Sequence, residues 1–284
     1  MKKLKYIFAI LILSITFGSC SDDNDEVIVE SNPVEGLNKI YEFSEADHTV
    51  EIYSEKTALE VGYNEISIRI KDMASNKYVT NAEASWMPMM HMETMEHSAP
   101  HSMLTNSEES SVYKGYIVFQ MPGNDTEYWD FTLNYNLNGQ AMTETHQISV
   151  TQPIDGLKKV QVFMGSDDNR YILAYVNPKA PQVAINDFQA VLYKMENMMT
   201  FPVVENFKVT VDPRMPGMGN HSSPNNQDLT YDAATKMYNG KLSLTMTGYW
   251  KINLKLQNES NEVLKGEDVT EANPESSLYF ELEF

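Results

Sequence analysis

The sequence predicts an all-β protein made of two tandem immunoglobulin-like antiparallel β-sandwiches. Three observations carry that prediction. Short runs alternate apolar and polar residues with a period of two, as half-buried strands do. Turn residues separate those runs at short, regular intervals. A set of small motifs also occurs twice in the same order. No long amphipathic helical pattern interrupts them.

The chain opens with Lys2, Lys3 and Lys5, an apolar run from Tyr6 to Phe17, and then Gly18, Ser19 and Cys20. Basic, apolar, small is the layout of a secretory signal peptide. The run is too short for a lasting membrane span. Cys20 is the sole cysteine, and the stretch before it resembles the lipobox of bacterial lipoproteins, with Phe17 where Leu is usual. The resemblance implies a leader of residues 1–19 and an acylated Cys20. It places the chain at a bacterial outer membrane, lipid-anchored, either periplasmic or surface-exposed; each buried methylene adds about 0.8 kcal/mol to anchoring. The alternative is an ordinary signal peptide with an incidental cysteine. Ser21 to Glu26 is strongly acidic and resembles the export signal of surface lipoproteins of the Bacteroidetes type; otherwise it is a solvated spacer. Either way, residues 20–33 read as a disordered acidic tether.

The first sandwich is expected over residues 34–152. His48 to Ser54 reads as a strand. Ile66, Ile68 and Ile70 mark one face of the next, and Ala82, Ala84 and Trp86 alternate after a polar stretch. Tyr113 to Met121 follows, with Ile117, Phe119 and Met121 on one face. After the turn Pro122–Asp125, Trp129, Phe131, Leu133 and Tyr135 alternate up to the hairpin signal Asn138-Gly139, and Met142 to Val150 closes the unit. Thr151 to Gly156 is the expected connection to a second sandwich over 153–284. Its strands are expected at Val160–Met164, Tyr171–Val176, Phe188–Met195, Phe207–Val211, Leu242–Met246, Trp250–Leu256 and Leu278–Phe284.

The repeat is written in the order Met-Pro, His-Ser-x-Pro, Tyr-x-Gly, Met, Trp. It pairs Met87-Pro88-Met89-Met90 with Met215-Pro216-Gly217-Met218, and His97–Pro100 with His221–Pro224. It further pairs Tyr113-Lys114-Gly115 with Tyr238-Asn239-Gly240, Met121 with Met246, and Trp129 with Trp250. This order resembles the YtkA-like domain, a FixH-related β-sandwich of bacterial envelope proteins. The resemblance covers roughly residues 55–150 and, more loosely, 185–260. It implies a copper-handling or oxidase-assembly setting and a partner of that kind. The first unit departs from the family pattern by a longer Met- and His-rich segment.

That segment, Met87–Met103, holds six methionines and three histidines and reads as a loop. Thioether and imidazole are soft or borderline donors that suit Cu(I). The expected inner set is Met87, Met89 or Met90, His97 and Met121. His91, Met92, Met95, His101 and Met103 form the expected outer, more mobile shell. Met215, Met218, His221 and Met246 would make a poorer second site. A second reading of Met87, Met121, Met215 and Met246 is plain packing at strand ends, and a second reading of the whole segment is an adaptable Met-rich contact surface. His146 alternates with Ile148 and Val150 and reads as a satisfied core histidine. His48 carries no signal, and Asp167 and Asp168 read as turn acids facing water.

Composition excludes several classes. With 21 basic and 40 acidic residues the chain carries −19, the wrong sign for nucleic acid. With Cys20 taken up by acylation, as the lipobox resemblance implies, no cysteine remains for a disulfide, a thiolate zinc site or a blue-copper centre. There is no His-Glu-x-x-His, nucleophile elbow or phosphate loop. The expected function is non-enzymatic copper capture, delivery or tolerance through the Met/His segment, with zinc left open. The alternative is a surface lipoprotein module that binds a protein or glycan without metal. A zinc-dependent hydrolase would need a carboxylate base beside the histidines, and none is evident.

Overall fold

Strands dominate the computed structural model, which describes residues 32–45, 47–80, 82–107, 110–137 and 139–284. The leader, Cys20 and nearly all of the tether lie outside the described residues. Pro33–Phe284 form one compact unit.

The first half contains β1 (Asn38–Ser44), β2 (His48–Ser54), β3 (Leu59–Glu60), β4 (Gly62–Asp72), β5 (Lys77–Tyr78), β6 (Ala84–His91), β7 (Glu96–Ser98), β8 (Tyr113–Phe119), β9 (Tyr128–Leu137), β10 (Gln140–Ile148) and β11 (Val150–Thr151). The second contains β12 (Val160–Met164), β13 (Arg170–Asn177), β14 (Ile185–Met195), β15 (Lys208–Met215), β16 (His221–Ser222), β17 (Gln227–Asp232), β18 (Met237–Ser243), β19 (Tyr249–Gln257), β20 (Val263–Lys265) and β21 (Leu278–Glu283). A single 3₁₀ turn, Pro216–Met218, is the only helical element among the described residues.

In the first half the sheet β1-β2-β4-β8 faces the sheet β10-β9-β6-β7. Ile66, Ile68, Ile70 and Phe119 from one meet Met90, Trp129, Phe131 and Leu133 from the other. In the second half β12-β13-β14-β18 packs against β21-β19-β15-β16, with β17 bridging β18 and β15. The same strand order thus appears twice. Both halves are antiparallel sandwiches, apart from one short parallel pair, β11 with β3.

No strand pairing among the described residues crosses from one half to the other, yet the halves share a core. Val160, Ile172, Ala174, Val176, Val191 and Tyr193 belong to the first half's apolar cluster, while Tyr171, Leu173, Tyr175, Ala190 and Leu192 belong to the second's. Strands β13 and β14 are therefore covered on both faces. This explains why Tyr171–Val176 is a continuous apolar run with no alternation. Across the same junction the Tyr116 and Tyr193 hydroxyls lie 2.7 Å apart.

The repeat motifs have identifiable physical roles. Indole Nε1–H of Trp129 donates to the Met121 carbonyl at 3.0 Å, and that of Trp250 to the Met246 carbonyl at 3.1 Å. Tyr113 and Tyr238 are buried and bond the carbonyls of Val79 and Val204. A buried ring with a polar tip requires such a partner. Gly115 and Gly240 are close approaches: a Cβ would fall 2.6 Å from the Trp86 ring and 2.5 Å from the Gln227 carbonyl respectively.

Three expectations are corrected here. Met87–His91 is not loop but the second part of strand β6. The strand near Leu242 starts at Met237 and ends at Ser243, so Met246 lies beyond it; Asn239, Gly240 and Lys241 hide its alternation. The pairing of Met87-Pro88 with Met215-Pro216 is displaced by three residues. Pro88 stands opposite Phe131 and Met90 opposite Trp129. Pro213 stands opposite Ile252, and Arg214 opposite Lys251, which sets Met215 beside Trp250. The structural equivalents are therefore Pro88 with Pro213 and Met90 with Met215. The histidine match survives: Met90 pairs with His97 and Met215 with His221.

Candidate metal-binding end of the first sandwich

Strand β6 alternates in and out. Trp86, Pro88 and Met90 are buried, whereas Met87, Met89 and His91 are half-buried on the opposite face. Methionine fits either environment, so the period was invisible to a hydrophobic-versus-polar reading. A tight turn, closed by Met92 N–H on the Met95 carbonyl at 3.0 Å, leads back into β7. Pro88 sits where β6 pairs only β9, since β7 begins its pairing at Met89. A missing N–H costs little at such an edge. Ser98 Oγ donates to the Pro88 carbonyl at 2.8 Å and to Met87 sulfur at 3.2 Å.

The expected inner set is thus divided. Met90 and His97, directly opposite across the β6–β7 pair, share the inward face. His97 meets Trp129 edge-on at 5.5 Å between centroids. Met121 is half-buried against the same cluster. Met87 and Met89 point the other way. The feature that Met121 shares with Met246 is its carbonyl, used by the tryptophan, which favours the packing reading of both side chains.

The three histidines of the segment differ in what their nitrogens do. His97 Nδ1 lies 2.8 Å from the Ser98 carbonyl, and His101 Nδ1 lies 2.7 Å from the Ala99 carbonyl. A carbonyl only accepts, so each Nδ1 carries the proton, and in the neutral ring Nε2 keeps its lone pair. Metal-ligating histidines are commonly oriented in this way. Burial pushes the His101 pKa down, only partly offset by the Ala99 carbonyl, so that ring is neutral at neutral pH. His91 is the opposite case. Glu96 holds its Nδ1 at 2.8 Å, Asp130 holds its Nε2 at 2.6 Å, and the ring stacks on Tyr128. Burial opposes its charge, but the two carboxylates outweigh this and raise its pKa. His91 is thus clamped between two carboxylates that favour its charged form, and both of its nitrogens are engaged. Met92 packs against the core, while Met95 and Met103 face water, Met103 with 81% of its surface exposed.

The second half's version is thinner. Met215 is buried under Trp250, with its methyl 3.1 Å from where a Gly248 Cβ would stand. Met246 is half-buried, and His221 and Met218 are exposed. Among the described residues no three His, Cys, Asp or Glu side chains converge as a metal site. A metal at either end would therefore depend on thioether sulfur.

Two features were missed from sequence. His48 is buried, its Nδ1 2.5 Å from Asp47 and its Nε2 bonded to Glu144. Glu144 also accepts from Tyr135 and from His146 Nε2, the latter at 3.0 Å, and His146 stacks on Phe43 at 3.9 Å. Burial opposes charge on both His48 and Glu144. Their mutual bonds, with Asp47, Tyr135 and His146, outweigh it, raising the former's pKa and lowering the latter's. No local pattern links residues 48 and 144. The other missed feature is Met198-Met199, which the fold brings to β7: Ser98 N–H donates to the Met198 carbonyl at 2.8 Å. A second methionine pair in a polar stretch was the available signal. Asp167 makes bonds within its own turn, to Asn169 and Tyr171.

No protein-family model matches the chain, and no curated protein matches it. Among solved structures it is similar to a DUF4785 family protein from Legionella pneumophila, at 11% identity and a TM-score of 0.26. That match covers 77% of this chain and 55% of the other, so the chain spans about half the length of that protein.

Proposed function

We propose that this chain is an envelope lipoprotein, anchored through Cys20, that binds Cu(I) at the β6–β7 end of its first sandwich for capture, delivery or tolerance. The observation that supports this reading most is the pair His97 and His101. Both rings are oriented by backbone carbonyls with Nε2 left as the donor, in a segment whose Met90 thioether shares the inward face with His97. Two to four soft donors satisfy Cu(I), and strand-borne ligands lose little entropy on binding. No catalytic role is assigned. The YtkA-like resemblance agrees with this reading, as does the thinner second-half site at Met215 and His221.

A competition titration against a Cu(I) chelator tests the proposal. One tight site per chain supports it; no withdrawal of Cu(I) from the chelator overturns it. The exposed thioethers of Met95 and Met103 favour one other reading, an adaptable contact surface for a protein partner. On that reading, replacing His97 and His101 by alanine leaves function intact.

A further inference from the structure

Beyond β14 the chain forms a narrow hairpin that returns toward β15. Tyr193 bridges Val203, Lys194 N–H meets the Pro202 carbonyl at 3.0 Å, and Glu196 N–H meets the Thr200 carbonyl at 3.1 Å. The tip is Asn197-Met198-Met199-Thr200, pinned by Met199 N–H on Asn197 Oδ1 at 2.8 Å. The base is not free to swing. Met195, Phe201 and Val203 pack into the first half's core, although they belong to the second half in sequence.

The docked tip sits against β7. The Met198 carbonyl takes the N–H of Ser98, the residue after His97. Met198 and Met199 leave 43% and 44% of their surfaces exposed. A tip facing water in a soluble turn has no packing need for two adjacent long apolar side chains; polar turn residues are the norm there. Here the fold holds the backbone of two adjacent methionines against Ser98, the residue next to the histidine that the copper reading requires.

We infer that Met198 and Met199 are thioether ligands of the Cu(I) site, so that the site is built by both halves of the chain. This inference rests on the copper reading above. It accounts for a site too poor in first-half inward donors, where Met90 and His97 share a face but Met87 and Met89 do not. It also gives the soft ion an exposed methionine entry, where Cu(I) meets sulfur before imidazole.

The test compares the full chain with a Met198→Leu/Met199→Leu variant, titrated with Cu(I) against bicinchoninate and measured by copper-edge X-ray absorption. Leucine keeps size and apolarity at exposed positions, and a circular-dichroism melt checks that the fold is retained. The inference expects Cu(I) affinity to fall by roughly tenfold or more, with fewer sulfur neighbours around copper. Unchanged affinity and an unchanged sulfur count overturn it while the copper reading stands. If the unsubstituted chain binds no Cu(I), the copper reading itself fails, and the inference with it.

Discussion

The two halves place the same frame around different chemistry. In each, a tryptophan on the penultimate main strand gives its indole N–H to a methionine carbonyl, and a buried methionine lies beside it, cross-strand from a histidine. The neighbouring positions diverge. Where the first half has Met87 and Met89 flanking Pro88, the second has Asp212 and Arg214 flanking Pro213, joined as an ion pair at 2.8 Å. Where the first half has Glu144 and His146, the second has Leu278 and Phe280 opposite the equivalent strand. What is common is therefore packing. The fold does not demand thioethers on the outer face of β6, nor a buried carboxylate between two histidines. Those features are particular to the first half.

The largest effects are expected at the frame that both halves share. Trp129→Ala and Trp250→Ala should each cost about 3–5 kcal/mol in denaturant unfolding, since each removes a fully buried indole and leaves a cavity. A large cost at one and a negligible cost at the other would contradict a common packing role.

Next comes the polar cluster that only the first half has. Glu144→Gln removes the partner of buried His48 and should cost about 3 kcal/mol, near the low end for a broken buried pair because His48 can shed its proton. The pH dependence has two limbs. The raised His48 pKa contributes stability present below about 6.5 and lost as pH rises through the folded value. The lowered Glu144 pKa contributes stability present above about 4.5 and lost as pH falls through its folded value. Urea midpoints across pH should therefore peak between those limits in the native chain, and the peak should flatten in the variant.

Smaller in stability, but sharper for function, is the pair Met90→Leu and Met215→Leu. Each conserves volume, so each should cost less than about 1.5 kcal/mol. Cu(I) affinity should fall by roughly tenfold for Met90→Leu, equivalent to about 1.4 kcal/mol, and stay unchanged for Met215→Leu. The smallest effect is expected from transplanting the second half's outer face, Met87→Asp with Met89→Arg. Thermal melts should show no more than about 1 kcal/mol of change, because Asp212 and Arg214 already occupy those positions in the same frame.

Much of the fold was legible because alternation is a direct print of one-sided burial. Ile66, Ile68 and Ile70 in β4, and Trp129 through Tyr135 in β9, sit where the pattern puts them. Legibility failed where that premise failed. β1 is half-exposed and bulged between Lys39 and Tyr41. β18 carries its closest backbone approach at Gly240. In β6, methionines occupy both faces. The repeat was readable as motifs but not in register, because a Met-Pro pair exists in both halves for different reasons: Pro88 lies within a strand, whereas Pro216 begins a 3₁₀ turn. At the candidate site, sequence supplied the residue types but not the division of labour. The clamping of His91 by Glu96 and Asp130 spans 39 residues. The arrival of Met198 beside Ser98 depends on a hairpin from the other half, and spacing reports neither.

On the proposed reading, copper affinity resides in the first half's end and not in its echo. This is tested most directly by one Cu(I) competition titration on three chains: the native chain, His97→Ala/His101→Ala, and His221→Ala. The native protein should bind one Cu(I) per chain, the double variant should lose that site, and His221→Ala should change nothing. Full binding by the double variant, or loss in His221→Ala alone, would contradict it.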